Sequence, residues 1–158
     1  KLISSTNMES VQIIEFEPKY TQQVKDLIYL VLGSLGIENK YPEINRDTDL
    51  DYIQKIYAGR GRFWLALQDN KLIGTIAVEE VDLETAKLKR MFVLPEYQGV
   101  GIGQKLIDVA MKFVEDNGYK RVKLNTDKIM KRAHRFYEKN GFQKIGEDEE
   151  RLFYERNL

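Results

Sequence analysis

Three glycines alternate along Gln98-Gly99-Val100-Gly101-Ile102-Gly103, between an apolar run that stops at Pro95 and the start of a helical pattern. Without a Cβ, glycine lets backbone N–H groups come close to a ligand. A helix that starts there aims its first unpaired N–H groups, and the positive end of its dipole, at the same point. The chemistry this spacing offers is anion binding, with a pyrophosphate as the best match. Three familiar glycine loops do not fit it. A Walker loop needs Gly-x-x-x-x-Gly-Lys and then Ser or Thr, whereas Gln104-Lys105-Leu106 follows Gly103. A dinucleotide fingerprint needs Gly-x-Gly-x-x-Gly early in a series of βα units, and here a single unit lies past mid-chain. A kinase loop needs His-Arg-Asp and Asp-Phe-Gly downstream, and neither occurs.

The elements that must hold this loop follow from periodicity. Ala86 to Val93 reads as the strand that enters it. Leu106, Ile107, Ala110, Phe113 and Val114 form a helical stripe that Asn117-Gly118 closes. Arg121 to Thr126 is the next strand, so strand, loop, helix and strand make one parallel βαβ unit. Upstream, Val11 to Phe16 is a strand, and Val24, Leu27, Ile28, Val31 and Leu32 mark a helix opened after Pro18 and stopped at Gly33 and Gly36. A loop over Ile37 to Arg46 leads to an expected helix from Asp47 to Tyr57, capped by Asp47 or Thr48. Strands Phe63 to Gln68 and Leu72 to Glu80 meet at Asp69-Asn70, a two-residue hairpin turn. Ala133, Phe136 and Tyr137 mark a last helix ended by Asn140-Gly141, and two short strands near Phe142 to Ile145 and Leu152 to Arg156 finish the chain.

The expectation is one α+β domain over residues 11–158, a mostly antiparallel central sheet flanked by about four helices. Lys1 to Ser10 is polar, does not begin with Met, and is read as a tag or disordered start ahead of Met8. At 158 residues the chain suffices for one buried core. It has no cysteine, which excludes disulfides, thiolate metal sites and a cysteine nucleophile. A single histidine, His134, excludes a multi-histidine centre, and no metal is expected. No apolar run approaches the ~20 residues of a membrane span, so the protein is read as cytoplasmic, without a membrane partner. Net charge is zero, yet Lys87 to Lys144 holds fourteen Lys and Arg against six Asp and Glu. A basic half around an anion loop suits a polyanionic ligand. With a pI of about 6.8, nucleic acid is not the expected one.

The pattern Gln98-Gly99-Val100-Gly101-Ile102-Gly103, the strand end Met91-Phe92-Val93-Leu94-Pro95-Glu96-Tyr97 and the run Ala133-His134-Arg135-Phe136-Tyr137-Glu138-Lys139-Asn140-Gly141-Phe142 together resemble the GNAT superfamily of acetyl-CoA-dependent N-acetyltransferases. The resemblance covers Lys87 to Phe142. It departs at Met130, where many members carry Asn three residues before the signature Ala. The resemblance implies acetyl-CoA as cosubstrate. Its pyrophosphate would lie on Gln98, Gly99, Val100, Gly101, Ile102, Gly103 and Gln104. Its pantetheine arm would lie as a surrogate strand between Met91, Phe92, Val93 and the strand of Asn125, in a gap helped by a bulge. Lys131, Arg132, Arg135 and Lys139 are candidates for the adenosine phosphate, with Arg135 chosen.

The implied reaction is direct attack of a primary amine, of a small molecule or a peptide, on the thioester in a ternary complex. The Val93 N–H would stabilise the oxyanion. Tyr137 is expected to protonate the departing thiolate, since a phenol of pKa ~10 is protonated at neutral pH. Glu80, beside Glu79 on the preceding strand, is expected to take the amine proton directly or through water. Glu38, Glu43, Asp47, Asp49, Asp51 and Glu147 to Glu150 suggest an acidic rim suited to a cationic amine. A homodimer is allowed. The alternatives are a non-catalytic acyl-CoA-binding or sensing module and a nucleotide-binding protein.

Overall fold

The computed structural model describes residues 8–37 and 49–158. Seven strands form one sheet in the order β1-β2-β3-β4-β5-β7-β6, with β1 Val11–Glu15, β2 Arg62–Gln68, β3 Lys71–Glu80, β4 Thr85–Val93, β5 Arg121–Asp127, β6 Gln143–Glu147 and β7 Arg151–Asn157. Every neighbouring pair is antiparallel except β4 with β5, which are parallel. Four α-helices accompany the sheet among the described residues: α1 Thr21–Ser34, α2 Ile53–Ile56, α3 Ile102–Asp116 and α4 Lys131–Lys139. The expected α+β sheet with one parallel unit is what the chain forms.

Strands β2 and β3 are buried on both faces, because helices cover both sides. The Trp64 ring meets Phe113 of α3 edge-on at 5.3 Å, while Phe63, one residue earlier, meets Tyr57 at 5.4 Å on the other face. Strand alternation thus divides the sheet into an α3 face and an α1/α2 face. Asp69 and Asn70 both adopt positive φ, 48° and 65°, as a tight primed hairpin turn requires. Gly118 and Gly141 close α3 and α4 in the same left-handed region.

Two expectations change. The helix expected from Asp47 to Tyr57 is a 3₁₀ turn over Asp49–Asp51 and a single turn of α2, separated by Tyr52 at φ −134°. Its apolar spacing is that of a helix, but Leu50 and Ile53 are buried by two short turns instead. Its proposed caps Asp47 and Thr48, and the loop residues 38–46, lie outside the described residues. At the start, Met8–Ser10 form a 3₁₀ turn tied to the domain rather than a disordered lead-in. The Lys105 ammonium donates to the Met8 and Val11 carbonyls (3.4 and 3.2 Å), and Gln68 Nε2 donates to Ser10 Oγ at 3.0 Å. Residues 1–7 lie outside the described residues.

Candidate active site

A bulge in β4 creates the site. In the β3–β4 register Thr75 faces Phe92 and Ala77 faces Lys89, so Arg90 and Met91 together oppose Ile76. Arg90 takes φ 53°, a left-handed conformation that costs a non-glycine residue about 1 kcal/mol or more. Its surroundings hold it there. The Thr75 hydroxyl donates to the Arg90 carbonyl at 2.7 Å, and the guanidinium grips Asp49 through Nε (3.0 Å) and Nη2. Tyr57 Oη donates to the same Asp49 carboxylate at 2.6 Å. Burial pushes the Asp49 carboxyl up, but Arg90, Tyr57 and Lys89 more than offset it and hold it below the usual range.

Beyond the bulge the β4–β5 pairing is gone. It exists only from Thr85–Lys87 to Arg121–Lys123, and the two strands then diverge. The Leu94 N–H donates to the Ile73 carbonyl at 2.9 Å, which by ladder alternation turns the Val93 N–H away from β3 and into this gap. The Val93 carbonyl accepts from Gln98 Nε2 at 3.0 Å. At the gap's open end Gly99 and Gly101 take φ 80° and 97°, and Gly101 starts α3 without any side-chain cap. The first N–H groups of α3 are therefore left for an external acceptor. A Cβ on Gly103 would stand 3.1 Å from the Met91 methyl, a contact that a small shift of this flexible side chain would relieve.

A cavity of about 510 Å³ runs from this loop along the gap. It brings together Met91, Phe92, Val93, Gln98, Gly99, Gly101, Gly103, Gln104 and Tyr137. Lys131, Arg132 and Lys139 line it too, whereas Arg135 is exposed outside it. On α4 the lining residues Arg132, Ala133, Phe136, Tyr137 and Lys139 share one helical flank, and Arg135 falls beside it. Ile102 does not line the cavity; it is 1% exposed in the core, where it anchors the first turn of α3. Val100 projects outside the lining. The Gln104 amide spans Asp108 and Asn140 (2.8 Å each), tying α3 to the end of α4. Val31 of α1 and Leu35 just past its end, with Ile129 and Met130, complete the wall. Val31 was visible in sequence only as part of a core stripe, and Leu35 was not singled out.

Tyr137 ends the cavity. Its ring packs against Phe142 and Tyr154, it is 7% exposed, and its hydroxyl makes no hydrogen bond among the described residues. Burial pushes its pKa well above that of an ordinary tyrosine. Since Tyr154 pairs with Leu124, one residue past the last β4–β5 pair, Tyr137 stands toward the closed end of the gap.

Two further expected site residues, Glu80 and Asn125, lie outside the cavity. Glu80 pairs with Arg60, whose guanidinium also donates to the Asn117 carbonyl at the end of α3 (2.9 Å), so this carboxylate belongs to the α3 face. Glu79, one residue earlier, is on the opposite face with Lys89 Nζ at 3.5 Å. Asn125 is exposed on that same face, because the pleat turns Leu124 and Thr126 to the buried side. His134 donates through Nε2 to the Asp127 carbonyl at 2.9 Å and holds the turn into α4.

A bulged strand, a diverging parallel pair and an uncapped glycine-rich helix start together frame one cavity between β4 and β5. Residues 34–142 match the acetyltransferase (GNAT) family, and the chain belongs to it. It is 32% identical to human N-acetyltransferase 8B over 115 residues, 68% of this chain and 51% of that protein. It is 34% identical to zebrafish (Danio rerio) N-acetylaspartate synthetase over 89 residues, 56% of this chain and 32% of that one. The chain thus spans about half the length, or less, of these relatives. An acetyltransferase from Streptococcus agalactiae superposes with TM-score 0.86 at 32% identity, covering 96% of this chain and all of that one. PaiA N-acetyltransferase from Thermoplasma acidophilum, solved with coenzyme A, has TM-score 0.84 at 21% identity over 94% and 99% of the two chains, a likeness of fold.

Proposed function

We propose that this chain transfers an acetyl group from acetyl-CoA to a primary amine by direct attack in a ternary complex. The observation that carries the reading is the gap opened by the Arg90–Met91 bulge, which ends at an uncapped, glycine-rich helix start. Residues 99–104 suit the pyrophosphate, and the cations Lys131, Arg132 and Lys139 suit the further phosphate. The cosubstrate supplies an activated acyl thioester.

The chain's own groups supply the rest. The Val93 N–H, turned into the gap beside the loop, hydrogen-bonds an amide carbonyl of the extended arm and so sets how far the thioester reaches toward the closed end. Glu79 takes a proton from the ammonium of the acceptor and passes it to solvent, so that the nitrogen lone pair can form the new C–N bond, and it takes the second N–H proton as the intermediate collapses to the amide. Glu79 replaces Glu80 in this role because, of the two, it is the one on the open face. Tyr137 gives its proton to the sulfur as the C–S bond breaks, and regains it from solvent. Its raised pKa keeps that proton in place at neutral pH.

The test is thiol release from acetyl-CoA against a panel of amino acids, small amines, polyamines and peptides. Amine-dependent release supports the reading. Binding of acetyl-CoA by calorimetry with no release for any amine would leave a binding or sensing module instead.

A further inference from the structure

Four of the described acidic residues that suggest a cationic acceptor are already engaged. Asp49 is held by Arg90 and Tyr57, and Asp51 by Lys25. Glu147 is held by Lys128 and Lys144, and Asp148 accepts the Glu150 and Arg151 N–H groups (2.9 and 2.7 Å). Among the described residues, the face from which an acceptor must come carries more cations than carboxylates: Lys87, Lys89, Lys123 and Arg151 against Glu79, Asp127 and Glu155. Helices α3 and α4 close one side of the gap, where Val122 and Leu124 are buried, so the acceptor arrives from the other.

On that open face the β4–β5 pairing stops at Lys87 opposite Lys123, which marks the closed end of the gap. The phosphates belong at the far end, six residues and about 20 Å along β4, so the thioester points toward Lys87. Lys87, Lys89 and Lys123 gather there, and Arg151 stands on the same face, opposite Asp127 four residues farther along β5. Glu79 answers Lys89 at 3.5 Å, and Glu155 answers Lys123 at 3.9 Å. Lys87 and Arg151 have no salt bridge among the described residues. Asp127, opposite Arg151 in the β5–β7 register, turns an oxygen to the Ile129 N–H at 3.0 Å. Burial, with Lys89 and Arg151 nearby, pushes the Lys87 pKa down, although Glu79 pulls the other way. A half-buried ammonium facing other cations is stabilised by an anion brought to it.

We propose that the acceptor is an amine that also carries a carboxylate, as a free amino acid does, with Lys87 and Arg151 binding that carboxylate beside the reacting nitrogen. Arginine's planar fork suits a carboxylate, and the lysine adds a point charge. This specificity rests on the acetyl-transfer reading above.

The experiment compares phenylalanine, phenylalanine amide and phenethylamine in the thiol-release assay, with aspartate and O-phosphoethanolamine beside them. In a second arm, calorimetry on the coenzyme A-loaded protein compares N-acetylphenylalanine with its amide. A carboxylate should raise kcat/KM, and binding in the second arm, by about tenfold or more, the size of one charge-assisted hydrogen bond. Lys87→Gln and Arg151→Gln should each cut that preference while leaving the KM for acetyl-CoA unchanged. Equal use of acid and amide, equal binding of the paired ligands, or a preference for O-phosphoethanolamine would overturn the proposal. Turnover absent throughout, with the binding preference intact, would overturn only the catalytic reading.

Discussion

Tyr137 and Glu79 are the residues whose chemistry can be tested one atom at a time. Tyr137→Phe removes only a hydroxyl that hydrogen-bonds nothing in the described protein, so packing against Phe142 and Tyr154 survives. Turnover should fall by about 10²-fold, the usual range for a lost general acid, with the KM for acetyl-CoA unchanged. Steady-state kinetics with the best acceptor checks this; undiminished kcat removes Tyr137 from the mechanism. Glu79 and Glu80 form a paired control. Glu79→Gln should lower kcat/KM by ~10²-fold or more. Glu80→Gln should leave activity intact and cost no more than about 1 kcal/mol of stability, because its partner Arg60 is partly exposed. Activity tracking Glu80 instead of Glu79 would reverse the assignment of faces.

At the scale of an element, the β4 bulge depends on a side chain reaching across from the turn before α2. Arg90 is strained in itself and is held by Asp49, while Tyr57 completes the cluster. A double-mutant cycle with Arg90→Ala and Asp49→Asn should return a coupling of about 1.5–3 kcal/mol, as for a largely buried charge-assisted pair. Both single variants should also lose turnover, since the bulge aims the Val93 N–H into the gap. The folded Asp49 pKa lies below its unfolded value. The pair's stability is therefore present above the ordinary carboxylate range and is lost as pH falls through the folded value. Acid unfolding of the native protein and Asp49→Asn should converge below about pH 4, where the unfolded carboxyl is protonated. Parallel curves there would show that the pair contributes nothing.

For the whole molecule, ligand binding should register as stability. Acetyl-CoA at about a hundred times its Kd adds about 2.7 kcal/mol, which for a chain of this size raises Tm by roughly 5–10 °C. Gly101→Val should abolish that shift, because φ 97° is closed to a branched side chain and the loop must rearrange. A full shift in the variant would move the phosphate site elsewhere. High pH tests the buried phenols. Burial raises Tyr137 and, with Asp49, Tyr57, while Tyr154 is pushed up to about 12 by burial and Glu138. Their contribution is complete below the unfolded value of about 10 and is lost as pH rises from there toward the folded values. Chemical denaturation at pH 9 and pH 11 should show the loss.

The loop, its helix, the parallel unit and the Tyr137 signature were legible in sequence, because each is a local device. Glycine spacing, helical periodicity and turn pairs such as Asp69-Asn70 act within a few residues and need no distant partner. The same local reading failed where a choice depended on a neighbour in space. It could not tell Glu79 from Glu80, since only the β3–β4 register and Arg60 decide which carboxylate meets the open face. It chose Arg135 over Arg132, whereas Arg132 lines the cavity and Arg135 falls beside that flank of α4. It took the acidic residues around Asp49 and Glu147 for a rim, although tertiary contacts with Arg90, Lys128 and Lys144 consume them. The residues by themselves determined that a glycine-rich loop opens a helix in a member of the acetyltransferase (GNAT) family. Tertiary structure alone decided which way strand β4 turns its side chains beyond a bulge, because that direction depends on the register with β3.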